Sequence, residues 1–157
     1  MRSTLLLLCV TAGCGVAARS TPESRRAAEL AGCYALEYGA WGPEIDNGIL
    51  PSPIDLTTAI HLSAVPSSWR TGGRSMGYTV HALYGAPSGK NPFSLWSPVG
   101  RDSVWAGVPI QFGGFNLHLR QDGADLRGEV EAYTDQIDGA RASSLRTPVL
   151  ARRIPCP

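Results

Sequence analysis

A serine framed by glycines, a glycine-rich turn ending in lysine, and three scattered histidines are the residues of this chain whose types and spacing invite chemistry. Gly73-Arg74-Ser75-Met76-Gly77 fits G-x-S-x-G, the turn that presents a nucleophilic serine between a strand and a helix. The segment after it, Tyr78 to Tyr84, continues as a strand, and the chain is too short for the parallel sheet on which that chemistry is built. Gly85 to Lys90 (GAPSGK) approaches a phosphate-cradling loop. Its glycines stand one residue too close, and Asn91 replaces the Ser or Thr that would hold magnesium. Eighteen glycines make chance matches of this kind frequent, and both stretches are expected to be turns.

His61, His81 and His118 each fall in a different strand-like stretch, alternating with apolar neighbours on the polar face of a sheet. Zinc needs three or four ligands converging tetrahedrally, and neither H-x-H nor H-E-x-x-H occurs, so solvated sheet histidines are expected. Glu129, Glu131, Asp135 and Asp138 lack the D-x-D-x-D-G spacing of a calcium loop and are expected to be solvated as well. The expectation is a non-enzyme without metal or cofactor. The aromatics point to binding instead. Trp41, Trp69, Trp96 and Trp105, with Tyr34, Tyr38, Tyr78 and Tyr84, include several at strand ends and in loops. There an apolar body with a polar tip can line a mouth, although an ordinary aromatic core uses the same residues.

The elements that must position these side chains are strands. Phe115, Leu117 and Leu119 alternate with Asn116, His118 and Arg120, and Leu126, Gly128, Val130 and Ala132 with Arg127, Glu129 and Glu131. A turn centred on Asp122-Gly123 joins them and pairs Leu119 with Leu126, Phe115 with Val130, Leu117 with Gly128 and Arg120 with Asp125. Other strands are expected at Cys33 to Tyr38, Ile54 to Val65, Met76 to Tyr84, Phe93 to Trp96, Ser103 to Val108 and Leu145 to Ile154. The last is interrupted by Pro148, which suits an edge or a strand end. Ala40 to Pro53 is a long loop. Before the strands, Thr21-Pro22-Glu23 opens a short helix as N-cap, first residue and dipole-matched acid, and Gly32 can supply a left-handed stop. Strands without βαβ alternation make an all-β chain, an antiparallel barrel or sandwich of about eight strands with a short N-terminal helix.

At 157 residues the chain is one domain by size. Fourteen Lys and Arg stand against thirteen Asp and Glu, with basic pairs only at Arg25-Arg26 and Arg152-Arg153, which gives no electrostatic footprint for nucleic acid. Arg2, the apolar run Leu5 to Val10 and the small residues after it read as a signal peptide over residues 1–13, too short to span a bilayer. Two cleavage readings compete. Val16-Ala17-Ala18 is an ordinary small-residue site, and Val10-Thr11-Ala12-Gly13-Cys14 resembles a bacterial lipobox that would acylate Cys14, with Thr11 where Leu is usual. The lipobox is favoured because residues 14–20 form a polar tether ahead of a domain over residues 21–157. The expected location is therefore periplasmic or cell-surface, or secreted. Cysteine counting then leaves Cys33 and Cys156, and in an oxidising compartment the two are expected to pair.

A short helix before Gly32-Cys33-Tyr34, about eight antiparallel strands and a cysteine near each end make the chain resemble the lipocalin-like barrels. Tyr34 stands where their Gly-x-Trp has tryptophan. The resemblance implies a single closed barrel that binds a small hydrophobic molecule, attached to a membrane only through a lipid. If so, Tyr34, Leu36, Leu56, Ile60, Val80, Phe115, Leu117, Gly128 and Val130 line one interior, with Gly128 leaving room beside Leu117. The alternative is a structural or protein-interaction module with a filled core, working through the loop Ala40 to Pro53. An integral outer-membrane barrel is not expected, because the strands are short and Pro98, Pro109 and Pro148 interrupt them. Intact-mass measurement of the mature protein tests the export reading. A chain beginning at acylated Cys14 is expected, and an unlipidated chain beginning at Arg19 would leave secretion without an anchor.

Overall fold

The computed structural model describes residues 21–41, 57–84, 94–110, 113–134 and 143–157. Helix α1 (Pro22–Leu30) starts as its sequence dictates: the Thr21 hydroxyl accepts from the Ser24 N–H at 3.1 Å, and Pro22 takes the first position. It stops differently. Ala31 swings into extended backbone while its N–H still reaches the Ala27 carbonyl, and Gly32 opens the first strand instead of ending the helix. Gly32 has φ +150°, a backbone conformation that demands glycine, and the Arg153 guanidinium lies 2.9 Å from where its Cβ would be.

The strands are β1 (Gly32–Tyr38), β2 (Ala59–Pro66), β3 (Arg70–Thr71), β4 (Arg74–Ser75), β5 (Tyr78–Tyr84), β6 (Leu95–Val99), β7 (Ser103–Ile110), β8 (Gly113–Asp122), β9 (Asp125–Thr134) and β10 (Ser143–Ile154). β3 and β4 form a small separate hairpin between β2 and β5, in a stretch before Met76 expected only to turn the chain. The other eight close into one antiparallel barrel in the order β1-β10-β9-β8-β7-β6-β5-β2. Each barrel strand therefore pairs with its predecessor and successor in the chain, and β10 returns to β1.

Charge faces out and apolar side chains face in. Glu37, His118, Arg120, Arg127, Glu129, Arg146 and Arg152 are exposed, while Tyr34, Leu62, Trp96, Leu117, Leu119 and Val130 belong to one buried core. That polarity is the reverse of a barrel whose outside meets lipid. No helix among the described residues is long and apolar enough to cross a membrane.

Two expectations need correction. The β8–β9 hairpin turns through Gly123-Ala124, with Asp122 opposite Asp125 and Gly123 at φ +66°. Leu119 therefore faces Gly128, Leu117 faces Val130 and Phe115 faces Ala132, a shift of two residues from the register that matched apolar with apolar. A two-residue shift keeps each side chain on its face, so the core composition survives. The charge pairs do not: Arg120 binds Asp102 at 2.7 Å and Arg127 binds Asp122 at 3.2 Å. Gly128 leaves no room either, because a Cβ there would run into the His118 carbonyl and the Leu119 backbone. Second, Pro148 marks no edge. β10 pairs with β9 on one side and β1 on the other, and the Pro148 carbonyl accepts from Gly39 just past the last β1 pair, Tyr38–Val149. The missing proline donor thus faces the side where β1 has run out.

Cys33 and Cys156 form the expected disulfide, Cα–Cα 5.2 Å apart and 123 residues apart in sequence. Closing so long a loop stabilises by roughly 5 kcal/mol in the chain-entropy model.

Candidate functional site

The candidate site is the barrel interior, and its two ends are built differently. At one end β1 begins and β10 finishes, and α1 packs there against β2 and β6, burying Ala27 and Leu30. The seal is made by side chains that answer the helix's own unpaired carbonyls. Tyr34 Oη donates to the Leu30 carbonyl at 2.8 Å, and Arg153 donates to the Ala31 carbonyl at 2.6 Å and the Glu29 carbonyl at 3.4 Å. The same guanidinium lies 5.7 Å from the centre of the Tyr34 ring, a cation over an aromatic face at the negative end of the helix dipole. Arg26 adds a bond from the helix to the Gln121 side chain at 2.6 Å. Beneath the helix Trp96 is fully buried, its Nε1 donates to the Ser63 carbonyl at 2.9 Å, and its ring lies 5.2 Å from that of Tyr78.

The opposite end is where Tyr38, Leu95, Ile110 and Thr134 finish or begin their strands. Some inward residues toward this end keep slight contact with solvent, although Ala132 and Thr147 there are buried. Leu36 is 6% and Phe115 8% exposed, and Tyr38, Trp41 and Val108 are half-buried against the core. Tyr78, at the sealed end, is the exception at 7%. Polar tips at this end are turned to backbone: Tyr38 Oη donates to the Thr57 carbonyl at 2.7 Å, and buried Thr147 donates to the Ala40 carbonyl at 3.0 Å.

Of the residues assigned to the interior from sequence, Tyr34, Leu36, Ile60, Val80, Phe115, Leu117 and Val130 all lie in the one core cluster. Leu56 and Cys14 lie outside the described residues, as do most of the loop Ala40 to Pro53 and the acids Asp135 and Asp138. Gly128 faces inward but contributes close strand approach and no space. Sequence reasoning missed Thr147, which shares the inward parity of Val149 and Ala151, and Arg153, whose role depends on where α1 ends. Ser75 of the G-x-S-x-G match ties the small hairpin instead, its hydroxyl lying 3.0 Å from the Ser67 carbonyl and 2.7 Å from the Gly77 carbonyl. The histidines divide: His61 and His81 face each other across β2 and β5 on the outer surface, whereas His118 sits on β8 opposite Trp105 and Glu129. Glu131 pairs with Arg146 at 3.2 Å.

Compared with known proteins, the chain matches no family model, no curated protein and no solved structure at a significant level.

Burial raises the pKa of Tyr34, Tyr38 and Tyr78 above the ordinary tyrosine value; at Tyr34 the nearby Arg153 charge partly opposes the rise. The unfolded chain ionises its tyrosines near pH ~10, before the folded chain does, so their contribution is complete below that pH and is lost as pH rises through the folded values. Denaturant midpoints are expected to fall steeply above pH ~10. In Tyr38→Phe the midpoint at neutral pH drops by about 1 kcal/mol equivalent for the lost hydrogen bond, and the alkaline fall becomes shallower. A variant with the wild-type alkaline fall would show that Tyr38 is not held neutral by the fold.

Proposed function

We propose that the protein is a non-catalytic, exported, lipid-anchored barrel of lipocalin-like type that takes a small apolar molecule through the end opposite α1. Within this reading residues 1–13 are the signal, Cys14 carries the lipid, residues 14–20 are the tether, and residues 21–157 form the binding domain. The observation that carries it is the asymmetry of the interior. Trp96, Tyr34, Leu62 and Leu30 fill and seal the helix end at no more than 2% exposure, whereas toward the other end Tyr38 and Val108 are half-buried and Leu36 and Phe115 retain 6% and 8% exposure. A cup needs that combination, an apolar wall with one end shut and one end reachable. The aromatic and hydroxyl groups of Tyr38, Trp41 and Thr57 at the reachable end suit a rim, apolar in body and polar at the tip.

A core filled throughout, with the function on the loops, is the competing reading, favoured by the full burial of Leu117 and Val130 midway along the barrel. Gly128 cannot separate the two, since enlarging it disrupts the β8–β9 approach in either case. Val108, inward and half-buried near the open end, can. Wild-type protein is expected to take up a fluorescent fatty-acid probe saturably. Val108→Trp is expected to abolish uptake while the circular dichroism of the barrel persists. Wild-type protein that takes up no apolar probe would end the cup reading and leave the filled module.

A further inference from the structure

On the outside of the barrel, cross-strand pairing collects chemistry that no local spacing announces. Cys33 of β1 lies directly opposite His61 of β2, and His61 lies directly opposite His81 of β5. The two imidazole rings stack with centroids 5.8 Å apart and planes inclined by 27°. Cys156, disulfide-bonded to Cys33, completes the group: one nitrogen of His61 and the two sulfurs all lie within 4.8 Å of one another. From the geometry we infer that the dithiol form of this protein is a zinc-binding form, with Cys33, Cys156 and His61 as ligands and His81 as the fourth, and that the disulfide is its metal-free alternative.

The distances make this a small rearrangement. Zinc–sulfur and zinc–nitrogen bonds of about 2.3 and 2.0–2.1 Å place tetrahedral ligands roughly 3.3–3.8 Å apart. The ligand atoms of Cys33, His61 and Cys156 already lie within 4.8 Å of one another, so the two sulfurs must separate, the three must draw together around the ion, and His81, stacked beside His61, must turn its ring toward them. Cys156 can supply that movement, since it lies beyond Ile154, the last residue of β10 paired with β1. Cys33, buried and paired with Ile154 of β10 on one side and His61 of β2 on the other, stays fixed together with His61. Two thiolates and two imidazoles form a ligand set suited to zinc. Two sulfurs bonded to each other carry no thiolate charge and are poor ligands.

Access is one-sided in a way that fits the exchange. Cys156 is exposed and Cys33 is 1% exposed, so an incoming thiolate reaches the Cys156 sulfur. It forms a mixed disulfide there and Cys33 leaves as the thiolate. The second thiol of a dithiol reductant then releases Cys156, and the reductant ends as its own disulfide, having given two electrons. Zn²⁺ next replaces the thiol protons, which pass to solvent. Either state ties the first barrel strand to the C-terminal segment, one by a covalent bond and one through the metal.

Cobalt reports the site without any ligand-binding assay, so the outcome is independent of the cup. The full chain, reduced by a phosphine that takes up water oxygen and leaves two thiols, is titrated with Co²⁺ and then with Zn²⁺. The reduced protein is expected to bind one Co²⁺ per chain with a thiolate-to-cobalt charge-transfer band and the intense ligand-field absorption of a tetrahedral site, and Zn²⁺ should displace it. The oxidised protein is expected to show neither band. Reduced His61→Ala is expected to bind about tenfold or more weakly, the scale seen even when a group that merely supports a ligand is lost. Its disulfide form, with the wild-type circular dichroism, shows that this variant folds. If the reduced wild-type chain loses its barrel spectrum, Zn²⁺ is expected to restore it. A reduced wild-type protein without the charge-transfer band, an unfolded reduced chain that Zn²⁺ does not refold, or His61→Ala binding as tightly as wild type would each overturn the proposal.

Discussion

The seam between β1 and β10 is the contact on which the rest of the structure depends. Every other neighbouring pair in the barrel is made by strands consecutive around it, whereas this one joins segments separated by 123 residues at its disulfide. Bringing the ends of such a loop together costs about 4 kcal/mol in chain entropy before any contact forms. The molecule answers with several interactions at one corner. The ladder runs from Cys33–Ile154 to Tyr38–Val149, Arg152 reaches Glu37 at 2.6 Å across it, and Arg153 joins β10 to Tyr34 and to the end of α1. The exposed Arg152–Glu37 pair adds little. Arg153 matters more, because its guanidinium satisfies helix carbonyls that would otherwise need water at a closed end. The disulfide offsets an entropy of the same size as the loop closure itself.

Closing that seam also decides which end of the barrel is shut. α1 precedes β1 directly, so the helix must lie at the end where β1 starts and β10 finishes, and Ala31 and Gly32 turn the chain between them. Large side chains collect beneath it, with Trp96 bonded to Ser63 and Tyr34 to Leu30. Among the described residues, no helix packs on the opposite end. The seal at the helix end is thus a consequence of topology, and the proposed cup builds on it.

Much of this was legible in residue order. The alternation of Phe115, Leu117 and Leu119 named a strand and its inner face, Thr21-Pro22 named the helix start, and the two cysteines left once the N-terminal segment is set aside named a disulfide. What was not legible required neighbours that the sequence does not mark. Matching Leu119 with Leu126 looked better than matching it with Gly128, yet β8 is held on its other side by β7, and Gly123 sets a two-residue turn. Pro148 signals an edge only where edges exist, and a closed barrel has none. Cys33, His61 and His81 come together through register across three strands, with no motif spacing to betray them. Arg153 looks like half of a basic pair until α1 is seen to end against it.

Native-state hydrogen exchange tests the dependence on the seam most directly, because it resolves partial opening from global unfolding. In the disulfide-bonded protein, amides of β1, of the paired end of β10 and of α1 should exchange through one shared opening, less costly than that of the β8–β9 hairpin. Arg153→Ala should lower protection of that group together and leave the hairpin unchanged. Equal protection of seam and hairpin in both proteins, or a loss confined to residues touching Arg153, would contradict the account.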